Sequence, residues 1–283
     1  MKRIDLLELF LWTVRRNERD TIHMYDSLSD LMMLGTGGSM LNFGYWDEKT
    51  GTPLEAQRNL CRMFGKIAGL APNQTIIDVG SGFASPAALW SGEYSQPDIT
   101  CVNINFEQLR SSKRSIPQDS THKIRFVNST ARILPFKDCS VDRVLALESA
   151  QHFKPLGDFV SESYRMLKKG GVLAMAIPVV ERPASFVKLG ILSMTWSSEH
   201  YGMDYVESVL EKQGFDITSV QKIGSSVYEP LADYYIKNRQ SLKQKILEQY
   251  QSYVEKILYI SMQKMRQVSE DKIIDYLLVS CKK

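Results

Sequence analysis

A chain of 283 residues with 43% hydrophobic and 24% charged residues is long enough to bury a full core and has the composition of an ordinary globular protein. A net charge of +3 is too small to support nucleic-acid binding, and the longest apolar run, Val172 to Val180, is too short to span a bilayer. Four scattered cysteines, at 61, 101, 139 and 281, form neither a disulfide framework nor a metal spacing, so a reducing cytoplasm and no metal site are expected.

In chain order, residues 3 to about 16 carry Leu6, Leu7, Phe10, Leu11 and Val14 at helical spacing, which predicts an amphipathic helix packed through that side. Acids inside this stretch argue against a signal peptide and leave a lid or membrane-surface role as the alternative. A second helix over 20–34 precedes Gly35-Thr-Gly-Gly-Ser39, a flexible joint, and Met40 to Asp47. Thr52-Pro53-Leu54-Glu55 is a capping box that opens a helix running to Gly69. Thr75 to Val79 is short, apolar and rich in β-branched residues, the signature of a buried parallel strand interrupted only by Asp78. Gly80-Ser81-Gly82 turns sharply after it, and Ser85-Pro86 is a sound helix start.

Strands are expected over 98–104, 123–128, 141–147 and 172–177, separated by helices, with Gly170-Gly171 ending the helix before the last of them. The order changes beyond Pro178. Residues 181–198 look irregular, 203–213 a helix closed by Gly214, and 215–223 a sixth strand. Residues 229–268 form a helical insertion with Leu231, Tyr234, Leu242, Ile246, Tyr250 and Tyr253 at helical spacing, and 272–281 is a final strand.

A strand, a glycine turn and a helix N-terminus together make a nucleoside site at the carboxyl end of a sheet. A dinucleotide fingerprint would need a third glycine near position 85, where Ser85 stands. Instead the acid precedes the first glycine by two, as Asp78-x-Gly80-x-Gly82, and this resembles motif I of the class I S-adenosylmethionine-dependent methyltransferases, with Ala84 at a usual glycine. Cys101-Val-Asn-Ile-Asn105 with Gln108 resembles the family's ribose-binding stretch, with Asn103 in place of the usual acid and Ile104 beside it. Ser129-Thr130-Ala131, Leu134-Pro-Phe136 and Ser140-Val-Asp142 resemble its adenine-binding stretch, with Thr130 where an acid usually reaches the adenine amine. Tyr25-Asp26 and Phe43-Gly-Tyr-Trp46 point to the branch that methylates small, often lipid-like or natural-product acceptors, in which Tyr25 would cover the methionine end of the cofactor.

The resemblance implies an α/β, Rossmann-like fold with a mostly parallel seven-stranded sheet, helices on both faces and a helical cap. Residues 1–52 would be a cap segment, 53–223 the cofactor-binding core, 224–270 a cap insertion and 271–283 the last core strand. The expected cofactor contacts are Tyr25, Asp78, Gly80, Ser81, Gly82, Asn103, Ile104, Gln108, Thr130, Ala131 and Glu148. His152 follows the fourth strand where the methyl group should lie, and an imidazole that ordinarily titrates near pH 6.5 can take a proton from a hydroxyl acceptor. Glu148 is expected to orient it or to touch cofactor or substrate; Gln151 stands where cyclopropane synthases carry a Glu, which argues against that reaction. Tyr45, Trp46, Gln151, Trp196 and Tyr234 are the expected acceptor contacts.

The reading is a methyltransferase that moves a methyl group from S-adenosylmethionine to an oxygen or carbon of a small, largely apolar acceptor, leaving S-adenosylhomocysteine. Peripheral membrane contact stays open, as does a monomer against a homodimer. The alternatives are an RNA or protein methyltransferase, disfavoured by the missing basic stripe and the enclosing cap, and a catalytically silent cofactor-binding regulator, suggested by the two missing cofactor acids.

Overall fold

The β-branched run at 75–79 occupies the position its burial demands. In the computed structural model, which describes residues 4–95, 97–116, 123–181, 188–195 and 198–283, β1 (Thr75–Val79) lies between two parallel neighbours with four of its five residues buried. Seven strands form one sheet in the order β3-β2-β1-β4-β5-β7-β6. The strands are β2 (Asp98–Asn103), β3 (Lys123–Asn128), β4 (Val141–Leu147), β5 (Leu167–Val180), β6 (Asp216–Lys222) and β7 (Ile274–Lys282). β1 to β5 pair in parallel, and β7 runs antiparallel to both β5 and β6. Strand order reverses at β1 and β4, so their carboxyl ends border the crevice where α/β sheets bind ligands.

Both sheet faces are covered. On β5, Leu173, Met175 and Ile177 join one core cluster while Ala174 and Ala176 join the other, which is the two-residue alternation of a strand buried on both sides. Helices α3 (Pro53–Ile67) and α4 (Ser85–Glu93) pack on the alanine side, and α6 (Leu156–Met166) and α8 (Met203–Gln213) on the other. The capping box at Thr52 is formed, with Glu55 donating no charge to the core but accepting from the Thr52 backbone N–H. Helix α5 (Phe106–Ser115) starts at Asn105, whose side chain accepts from Gln108 N at 3.1 Å.

The cap is helical: α1 (Leu6–Arg15), α2 (Glu18–Thr36), α9 (Tyr228–Lys237), α10 (Arg239–Gln249) and α11 (Ser252–Glu270), with the short α7 (Leu192–Thr195) beside α1 and α11. Ile4, Leu31, Tyr235, Leu242, Ile246, Tyr250 and Val254 form its own apolar centre. Among the described residues no helix is long and apolar enough to cross a membrane.

Four details differ from the sequence expectations. Helix α1 buries Leu9 and Trp12, and leaves Leu7, Phe10 and Val14 exposed. Its sequence is apolar on nearly every side from Leu6 to Trp12, so spacing alone did not select the buried face. Strand β5 is longer than 172–177, and Gly170-Gly171 lies inside it, where pairing with β4 shifts register between Val141 and Arg143. Ala84, at φ 55°, rather than Ser85 caps α4. The 229–268 insertion is three helices.

Candidate active site

The turn after β1 is set by backbone bonds. Gly80 N and Ser81 N both donate to Val102 O of β2, at 2.8 and 3.1 Å. Gly80 has φ +77°, and a Cβ there would lie 2.3 Å from Ser149 Cβ, closer than atoms pack. Gly82 has φ +55° with only Leu41 Cδ1 near, at 3.9 Å, so the loop faces open space there. Ser149 Oγ donates to Val79 O at 2.6 Å and ties the end of β4 to the end of β1. Beneath the loop, Asp78 is 2% exposed, and burial pushes its carboxyl up to about 7. Asp78 Oδ2 and Ser81 Oγ are buried with no hydrogen-bond partner among the described residues. Asp78 supports the loop from below and does not line the cavity above it.

That cavity runs from the glycine loop over the ends of β2 and β3, and α2 covers it. Asn103, Ile104, Gln108 and Ala131 line it with Gly80, Ser81 and Gly82. Asn103 Nδ2 donates to Gln108 Oε1 at 2.8 Å and to Gly82 O at 3.3 Å, which couples the strand end to the loop. Asn105 Nδ2 donates to Asp26 Oδ1 of α2 at 2.7 Å, and Gln108 Nε2 to Ser29 Oγ at 3.5 Å. Thr130 departs from expectation. Its hydroxyl donates to Glu18 Oε1 of α2, and its flanking residues Ser129 and Ala131 line the cavity in its stead.

At the other end, His152 sits in a single helical turn after β4, Ala150–His152. Its Nε2 shares a hydrogen bond with Tyr25 Oη at 3.0 Å, and the rings meet edge to face with centroids 5.5 Å apart. Burial raises the Tyr25 hydroxyl well above its ordinary range, so it stays neutral. Tyr25 is therefore a hydrogen-bond partner of the imidazole, a contact the sequence alone does not reveal. The Glu148 carboxylate accepts from Phe43 N at 2.9 and 3.1 Å and from Tyr276 Oη at 2.8 Å. Burial pushes its carboxyl up to about 8, against the opposing pull of those two donors.

Two further cavities complete the geometry. A small one next to His152 shares Tyr25, Leu41, Glu148 and His152 with the first cavity and is also lined by Gln151. It shares Leu28, Met32, Leu41, Phe43 and Thr195 with an apolar chamber walled by Leu9, Leu31, Tyr234, Ile257 and Leu258 among others. Of the expected acceptor contacts, Gln151 lines the small cavity and Tyr234 the chamber. Tyr45 and Trp46 line none of the three; Tyr45 packs on the core, and the Trp46 ring backs Tyr234 at 5.7 Å. Trp196 lies outside the described residues. The sequence reading did not name Glu18, Thr21 or Ile22, although with Tyr25 they repeat at the i, i+3, i+4, i+7 spacing of one helix face over the cavity.

Residues 77–175 match a family model described as a methyltransferase domain. The chain is 28% identical over 270 residues to the erythromycin 3''-O-methyltransferase of Saccharopolyspora erythraea, covering 90% of this chain and 88% of that protein. It is 24% identical over 274 residues to the 27-O-demethylrifamycin SV methyltransferase of Amycolatopsis mediterranei, covering 92% and 95%. Among solved structures, the mycolic acid cyclopropane synthase CmaA1 complexed with SAH and CTAB superposes with a TM-score of 0.78 at 20% identity, over 92% of this chain and 95% of that one. The [4+2]-cyclase SpnF superposes with a TM-score of 0.76 at 18% identity, over 94% and 96%. The two structural likenesses speak for the fold.

Proposed function

We propose, from the premise that this chain is a class I S-adenosylmethionine-dependent methyltransferase with a small-molecule acceptor, that the acceptor is a largely apolar molecule methylated on a hydroxyl oxygen. The observation that carries the reading is the position of the Tyr25–His152 pair, where the cavity over the glycine loop meets the small cavity that leads to the apolar chamber. The relatives named as O-methyltransferases of erythromycin and rifamycin compounds support oxygen over carbon.

The residues fit the cofactor. Gly80 and Gly82 keep the loop free of side chains, Ser81 Oγ is an unpaired polar atom beside it, and Asn103 presents an amide to the cavity. When bound, S-adenosylmethionine supplies a methyl group already activated on a sulfonium. What remains for the protein is alignment, exclusion of water and management of one proton. The loop, Asn103, Ile104, Gln108 and Ala131 would hold the nucleoside, and Tyr25 the methionine end. The chamber would seat the acceptor's apolar body, so that its hydroxyl reaches the small cavity. His152 would take the hydroxyl proton, with Tyr25 fixing the ring. Glu148, tied to Phe43 N and Tyr276 Oη, would position the wall formed by Phe43.

The test offers labelled-methyl S-adenosylmethionine with hydroxylated macrocycles of the erythromycin and rifamycin type, with simple sugars and with RNA. Label should appear in an organic-extractable methyl ether, and His152→Ala should cut that turnover by about 10²–10⁴-fold with S-adenosylhomocysteine affinity retained. Transfer confined to polar acceptors would sink the apolar reading. Near-normal turnover of His152→Ala would remove the base.

A further inference from the structure

The cavity over the glycine loop has two chemically different ends. One meets the small cavity through Tyr25, Leu41, Glu148 and His152, and the donor's sulfonium has to lie there because the acceptor arrives from that side. The base of the nucleoside then lies at the other end, where Ile22, Ile104 and Ala131 offer apolar atoms to its faces. At this edge adenine presents an exocyclic amine, a donor that needs an acceptor when it is buried, where hypoxanthine presents an oxo group beside a protonated N1. The strand ends supply no carboxylate there: Asn103 is the last residue of β2 and Thr130 lies two residues beyond β3.

Glu18 supplies one from the cap. It is the first residue of α2, it lines the cavity at this end, and the Thr130 hydroxyl donates to its Oε1, which holds the side chain across the gap between cap and core. Among the described residues lining the cavity, Glu18 and Glu148 are the only carboxylates, and Glu148 is at the sulfonium end. A carboxylate has about four acceptor sites, so the Thr130 bond leaves room for an amine. Glu18 and Tyr25 are seven residues apart on one face of α2, roughly 10 Å along its axis, so a single cap helix spans the cavity from base to sulfonium.

We infer that Glu18 is the adenine-specificity residue, accepting a hydrogen bond from the exocyclic amine in place of an acid at position 130. This inference rests on the methyltransferase reading. Its consequence is that the cap helix reads the base, and the cofactor in turn draws the cap onto the core.

The test is calorimetric and needs no acceptor. Wild type, Glu18→Ala and Glu18→Gln are titrated with S-adenosylhomocysteine and with S-inosylhomocysteine, in which an oxo group replaces the amine. Wild type should prefer the adenosyl compound by about 10- to 100-fold, because a charge-assisted bond is exchanged for an oxo group facing a carboxylate. Glu18→Ala should bring the two within about threefold at an unchanged melting temperature. Glu18→Gln, which keeps the size and whose amide accepts from one compound and donates to the other, should also lose the preference; it decides the matter if the alanine variant fails to fold. An equal affinity in wild type, or a preference retained in either folded variant, overturns the inference. Absence of S-adenosylhomocysteine binding by wild type instead overturns the methyltransferase reading and takes this inference with it.

Discussion

The cofactor cavity and the cap chamber, which share Met40, Leu41 and Asn42, are built by opposite means. Around the glycine loop, the floor is backbone and short polar side chains at the ends of β1, β2, β3 and β4 beneath α2, and hydrogen bonds such as Gly80 N to Val102 O and Asn103 Nδ2 to Gln108 Oε1 fix it. In the cap chamber, the walls are aliphatic and tyrosine side chains from α1, α2, α9 and α11, fixed by burial. Hydrogen-bonded walls have one geometry, whereas packed walls tolerate substitution of similar volume. Cofactor contacts therefore belong to the strand ends and the α2 face over them, and acceptor contacts to the chamber. Changes on the first side should shift cofactor affinity whatever the acceptor, and changes on the second should shift acceptor KM alone.

The largest break expected on the sheet side is Gly82→Val. A β-branched residue at φ +55° is strained, and its methyls would occupy the open side of the loop. S-adenosylhomocysteine affinity should fall more than about 100-fold, since the backbone loses its close approach to the ligand. Calorimetry on a variant with native circular dichroism checks it, and unchanged affinity would move the site elsewhere. Next is Asn103→Leu, which strips the amide from the cavity and unpairs Gln108 Oε1 and Gly82 O. It should cost about 1–3 kcal/mol in cofactor affinity. Asn103→Asp should also lose affinity, since its carboxylate would set an acceptor against Gln108 Oε1 and Gly82 O. Equal affinity across the three proteins would reduce Asn103 to a turn residue.

On the cap side, Leu258→Ala enlarges the chamber without touching the loop. Acceptor KM should rise about tenfold, the size expected for a few lost apolar contacts, with cofactor affinity unchanged. A fall in cofactor affinity instead would mean that the division between the two cavities is wrong.

The same division explains what the sequence discloses. The glycine turn, its flanking strand and the cap of α3 are each specified by neighbours within a few residues: Thr75 to Gly82 and Thr52 to Glu55 carry their geometry in local chemistry. Cap contacts are long-range. Tyr25 reaches His152 over 127 positions, Glu148 reaches Phe43 over 105, and Thr130 reaches Glu18 over 112. No spacing rule pairs such residues, so the partner of His152 and the occupation of Glu148 emerge only in three dimensions. Helix α1 failed for another reason: its periodicity was saturated, and the bulk of Trp12 chose the face.

The smallest predicted effect tests the seam itself, through the charge state of Glu148. Its carboxyl is held up to about 8 by burial, and it lines both the cofactor cavity and the small cavity at the sulfonium end. In the ligand-free protein the folded state therefore keeps a proton that the unfolded chain releases above about 4.5, and stability should fall as pH rises from about 4.5 to about 8. A sulfonium beside the group favours the ionised carboxylate. Below pH 8, S-adenosylmethionine must expel that proton on binding, so its affinity should climb with pH and level off above about 8. S-adenosylhomocysteine has a neutral sulfur and the same amino acid and nucleoside, so the ratio of the two affinities cancels every titration that the sulfonium charge does not touch. That ratio should increase up to about tenfold between pH 6.5 and 8.5 in wild type, less than the full linkage because Phe43 N and Tyr276 Oη already favour the anion. In Glu148→Gln the rise should be smaller. A pH-independent ratio in the wild-type protein would place the sulfonium away from Glu148, and with it the reaction centre away from the Tyr25–His152 pair.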